Sequence, residues 1–171
     1  MDGFWHEVAR AAASEFSDLP DVQQFTRLLV RLLMAALLGG LLGLEREIHR
    51  KAAGVRTHML VSLGAALFVL VPQQAGMNPA ELSRVMQGVI AGVGFLCAGT
   101  ILKFGGDHPS ATTDHVKGLT TAAGLWLTAA IGLAAGLGRE MTAVLSTLLA
   151  LAILALEGPL RRHLERRNRQ P

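Results

Sequence analysis

Between Gly43 and Leu60 the sequence reads GLEREIHRKAAGVRTHML, and these eighteen residues hold six formal charges and two imidazoles. Carboxylates set beside arginines can form ion pairs, hold a cation or pass a proton, and imidazole adds a group that titrates near neutrality. A second polar stretch, KFGGDHPSATTDHVKGL, carries the pairs Asp107-His108 and Asp114-His115. Carboxylate and imidazole together can ligate a divalent metal. Their spacing here matches no metal motif, so a solvated loop is the expected reading, with Asp114 as a cap for the helix that follows. Ser62, Thr100, Thr120, Thr121 and His58 could contribute to nucleophilic chemistry, but no triad or metal signature gathers them. Cys97 is the only cysteine and sits in an apolar run, so it reads as a packing thiol and no internal disulfide exists.

The elements that position these groups are apolar all round. Hydrophobic residues make up 51% of the 171, and they come in blocks with no amphipathic rhythm. Whole helix circumferences are apolar, which suits lipid as the solvent. Five spans are expected at about 28–44, 58–72, 85–102, 119–137 and 141–157, several of them slightly under the ~20 residues that cross a bilayer. The expected fold is all-α: a compact bundle of about five transmembrane helices preceded by an N-terminal interfacial helix. Trp5, Val8, Ala12, Phe16 and Leu19 recur at helical spacing in that leader, which has no signal-peptide h-region. Three regions result: an outer-face amphipathic segment over 1–26, a transmembrane domain over 27–157 and a basic cytoplasmic tail over 158–171.

A pI near 9.8 would suit nucleic acid. The basic residues lie in the connections instead, which is a topology signal. The first connection, the third and the tail hold eleven Lys and Arg; the opposite face holds three, Arg10, Arg84 and Arg139. That bias places the N-terminus outside and the 45–56 hairpin and C-terminus in the cytoplasm. It leaves Glu45 and Glu47 unexplained, because acidic residues contribute little to orientation. No nucleic-acid partner is expected; the bilayer is.

Small residues recur every fourth position: Ala35, Gly39 and Gly43 in the first span, Gly88 and Gly92 in the third, and Gly124, Thr128, Gly132 and Gly136 in the fourth. Such stripes let helix backbones approach closely, within the bundle or across a homodimer. Arg31 lies fourteen residues before Glu45, about 21 Å along a helix axis and therefore inside the membrane. Two readings are open for it: snorkelling to the outer headgroups, or pairing in the bundle with a carboxylate such as Glu81 or Glu140. Trp126 falls near the centre of its span, either packed in the core or with its indole N–H bonded to a neighbouring helix.

Four stretches, GLLGLERE (40–47), AGVRTHMLVSLGAALF (53–68), GVIAGVGFLCAGTIL (88–102) and VKGLTTAAGLWLTAAIGLAAG (116–136), together with their order and spacing, resemble the MgtC/SapB family of bacterial membrane proteins. The resemblance implies a multi-pass protein of the inner membrane linked to growth in low magnesium and to virulence. It implies regulation of membrane partners, the F-type ATP synthase among them, with no enzymatic activity and no cofactor. The chain departs from the family pattern at Cys97, where Gly is usual, and at Lys117, where Arg is usual. Longer members carry a soluble C-terminal domain; here a short Arg-rich tail is read as a short form without it.

The candidate functional cluster is Glu45, Arg46, Glu47, Arg56 and His58, with Arg31 at the far end of the same span. The short hairpin is expected to bring Glu45 or Glu47 to Arg56 as an ion pair that locks it. The rival function is a Mg²⁺ transporter or channel. Mg²⁺ favours oxygen ligands, yet no span has a central Asp or Glu, which argues against a carboxylate path.

Overall fold

A computed structural model describes residues 2–15, 21–105 and 118–156. It holds six α-helices: α1 (Asp2–Glu15), α2 (Val22–Ile48), α3 (Val55–Gln74), α4 (Pro79–Gly105), α5 (Leu119–Gly136) and α6 (Glu140–Ala155). The chain divides into two units, Met1–Val30 and Arg31–Pro171. In the first, α1 carries Phe4 and Trp5 edge to face, ring centroids 5.5 Å apart, both exposed. Phe16 and Leu19 of the expected amphipathic pattern lie outside the described residues.

Four helices, α2 to α5, are long and apolar enough to cross a membrane; α6 is apolar but has only 16 residues, about 24 Å of helix. The fifth expected span therefore exists as a helix at its predicted place, shorter than the others within the described residues.

In the second unit α3 and α5 form the centre. Their buried lines repeat at three and four residues: His58, Ser62, Ala65, Ala66, Val69 and Leu70 on α3, and Thr121, Leu125, Thr128, Ala129, Gly132 and Gly136 on α5. Glycine allows the contact. A Cβ at Gly132 would overlap the Ser62 carbonyl oxygen, and one at Gly136 would lie 2.6 Å from Ala66 O. On the other side of α3, a Cβ at Gly39 would meet His58 O at 2.7 Å, and one at Gly43 would meet Val55 Cα at 2.6 Å. No real Cβ survives such distances, so α2 and α5 grip α3 backbone to backbone.

The helix ends explain the boundaries. Asn78 caps α4: its Oδ1 accepts from the Ala80 and Glu81 N–H groups at 2.9 and 3.0 Å, and Glu81 Oε2 accepts from Asn78 N–H at 3.0 Å. Pro79 at the first helical position completes that start. α3 and α5 end in the same turn. Gly76 N–H reaches Gln73 O and Met77 N–H reaches Pro72 O; Gly138 N–H reaches Ala135 O and Arg139 N–H reaches Ala134 O. Both glycines are left-handed, at φ 77° and 73°. α2 ends identically, Arg50 N–H to Glu47 O and Lys51 N–H to Arg46 O, yet here the left-handed residue is Arg50, at φ 52°.

Candidate functional site

Two polar clusters lie at opposite ends of the apolar helices. The first is the hairpin between α2 and α3. Arg46 continues the buried line of α2 through Ala35, Gly39 and Leu42, which drives its side chain into the interior at 1% exposure. Its charge is met by the neighbouring Glu45, with Nε 2.7 Å from Oε2. Glu45 also takes His49, whose Nδ1 lies 3.1 Å from Oε1 and donates to the Glu45 carbonyl at 2.8 Å. Glu47 does something else: its Oε2 accepts the Val55 N–H at 2.9 Å, closing the hairpin and capping α3 from across the turn.

The expected pairing with Arg56 is absent. Arg56 is exposed and has no ion-pair partner among the described residues. The reason is helical phase: two residues are about 200° of rotation, so with His58 turned fully inward Arg56 must turn out. His58 and Ser62, one turn apart and both at 0% exposure, continue the polar line inward. The Nδ1–H of His58 donates to Gly54 O at 3.0 Å. His58 Nε2 and Ser62 Oγ have no hydrogen-bond partner among the described residues. Opposite His58 the wall of α5 is Gly124, where a Cβ would lie 3.8 Å from Nε2. Buried polar atoms left without partners cost roughly 1–3 kcal/mol each.

The second cluster gathers around Arg31. Its Nη1 donates to Gln73 Oε1 and to the Gly136 carbonyl, both at 3.2 Å. Its Nε stands 3.9 Å from Glu140 Oε1. The guanidinium lies against Gly138 in the α5–α6 turn, where a Cβ would meet it. Of the two carboxylates expected for Arg31, the one beside it is Glu140, while Glu81 caps α4.

Two further expectations change. Trp126 is half exposed on α5 and lies over a small groove with Val89, Ile90 and Val93 of α4, so it is neither core nor tied by its indole. The buried face of α5 runs through Leu125 and Ala129, and Trp126 is one step round from it. Gly88 and Gly92 do not pack closely against another helix among the described residues: a Cβ at either would meet nothing within 4 Å. They line an open apolar groove of about 410 Å³ with Phe68, Val85, Val89 and Leu96. Among the described residues no cluster of three or more His, Cys, Asp or Glu could hold a metal. Asp107, His108, Asp114 and His115 lie outside them.

The signals missed in the sequence were the capping role of Glu47 and the burial of Arg46 and His58. The last two were available in the three-four spacing of the small residues that precede or follow them.

Helices of this length and composition, packed through glycine and sealed at each end by charged clusters, define a polytopic α-helical membrane protein. Residues 32–163 match the MgtC family, and the chain belongs to it. It is 44% identical over 130 residues to protein SrpB of Synechococcus elongatus, covering 73% of this chain and 71% of that one. It is 40% identical over 131 residues to protein MgtC of Brucella abortus, covering 77% and 51%. It is 36% identical over 136 residues to the putative magnesium transporter YhiD of Escherichia coli K12, covering 74% and 58%. The chain thus spans little more than half the length of the last two. No solved structure matches it.

Proposed function

We propose that this protein is a non-enzymatic regulator of membrane partners that acts when magnesium is limiting, and that it does not conduct Mg²⁺ itself. Its place is the inner membrane, with the hairpin on the cytoplasmic side. The name of the Escherichia coli relative and the family membership support the link to magnesium. The observation that carries the choice of regulator is the apolar layer between the two polar clusters. From Ser62 to Gln73 the buried face of α3 is Ala65, Ala66, Val69 and Leu70, faced by Ala129 and Leu133 of α5. Eleven residues of helix are about 16 Å. Mg²⁺ sheds water reluctantly and needs oxygen ligands along its way; among the described residues this layer holds no carboxylate, and the buried Thr128 hydroxyl beside it donates to the Gly124 carbonyl of its own helix.

The test is a Mg²⁺-sensitive dye sealed inside liposomes carrying the purified chain. No flux above protein-free liposomes is expected, while the same chain restores growth in low magnesium to a strain lacking its own copy. Flux that scales with protein would transfer the function to the transport reading. By family resemblance the F-type ATP synthase is the first partner to test, by cross-linking from the hairpin.

A further inference from the structure

The hairpin's acids are both engaged and its outermost cations are not: Glu45 is partly buried, and Glu47 is exposed but hydrogen-bonded. Glu45 is held by Arg46 and His49, and Glu47 is spent on the Val55 N–H. Arg50 and Arg56 are exposed, and neither has an ion-pair partner among the described residues. Net orientation of the chain needs only that cations lie somewhere on this side. It does not need one at Arg50. That residue occupies the left-handed turn position which Gly76 and Gly138 fill at the ends of α3 and α5. An L side chain is disfavoured there, and glycine would relax the backbone. The chain therefore sets a guanidinium where the backbone is least suited to carry one.

The hairpin joins two helices of membrane-spanning length, so it lies at the depth of the headgroups. A guanidinium forks onto phosphate oxygens with two parallel N–H donors. Phosphate is available there as a lipid phosphodiester or as a soluble ion. We propose that Arg50 and Arg56 form a binding surface for the headgroup of an anionic phospholipid in the leaflet that borders the hairpin. The pairing of Glu45 with Arg46 and His49 matters beside the arginines, since a free carboxylate there would add to the repulsion of the same phosphate by the exposed Glu47.

The full chain is melted in micelles of neutral detergent doped with phosphatidylcholine or with phosphatidylglycerol. Phosphatidylglycerol is expected to raise the melting temperature by several degrees, and less so at high salt. Arg50→Gly should melt at or above the wild-type temperature in phosphatidylcholine, yet lose most of the phosphatidylglycerol gain. Arg56→Gln should lose a similar share with no change in phosphatidylcholine. Retention of the anionic lipid should fall about five-fold per arginine removed. Arg84→Gln, exposed at the other end of the helices, should keep the full gain. An undiminished gain in both hairpin variants would overturn the assignment. So would an equal loss in Arg84→Gln, which would reduce the effect to net charge. A gain reproduced by inorganic phosphate in phosphatidylcholine would move the site from lipid to a soluble anion.

Discussion

At the scale of residues, the site is built on charge taken out of water. Removing one partner of a buried ion pair leaves the other uncompensated, at about 3–5 kcal/mol. Glu45→Gln should fall near the lower end of that range, because the carboxylate keeps 15% exposure while Arg46 keeps 1%. Arg56→Gln should change stability by less than about 0.5 kcal/mol, as other exposed substitutions do. Exchanging the charges of residues 45 and 56 should then rescue nothing. Thermal melting of the three variants in detergent separates this from the hairpin lock expected from the sequence. Ser62→Ala removes a buried hydroxyl that has no partner among the described residues, so it should leave the melting temperature equal or higher. A loss of low-magnesium growth in that variant, at normal membrane levels, would mark Ser62 as functional, since function commonly retains groups that cost stability. The special status of GLEREIHRKAAGVRTHML was legible from its charge. Which carboxylate met which cation was not, because one step along a helix turns a side chain by about 100°. Glu45 and Glu47, two steps apart, consequently serve different elements.

At the scale of elements, the small-residue stripes were legible and their partners were not. Spacing by four announces a helix face, but it says nothing of what faces it. The structure assigns Gly39 and Gly43 of α2 and Gly132 and Gly136 of α5 to α3, and leaves Gly88 and Gly92 of α4 open. Gly132→Leu should therefore lower the melting temperature sharply, since the added side chain meets α3 backbone that cannot move aside. Gly92→Leu should leave it unchanged or slightly raised, because leucine is the better helix former. Equal losses in both would place α4 against another helix. The caps follow the same division. NPAE is a readable start for α4, whereas Glu47 caps α3 from eight residues upstream, across a turn, where no local pattern points to it.

At the scale of the whole molecule, the basic residues predict on which side each connection lies. Met77 and Ala52 are exposed in connections at opposite ends of α3. In a Cys97→Ala background, Met77→Cys should react with a membrane-impermeant thiol reagent from outside intact cells, and Ala52→Cys only after permeabilisation. The reverse pattern would invert the protein. The Arg31 cluster has a further consequence, for synthesis. Arg31 enters the membrane with the first apolar helix, while one of its acceptors, the Gly136 carbonyl, lies 105 residues later. Ribosomes add about 5–20 residues per second, so the Gly136 carbonyl follows Arg31 by roughly 5–20 s, whereas Gln73, 42 residues on, is made well before it. An arginine at the centre of a lone helix costs roughly 2.5–3.5 kcal/mol on insertion scales. Helix α2 is thus inserted on credit, and its full set of Arg31 partners is complete only once α5 and α6 have been made.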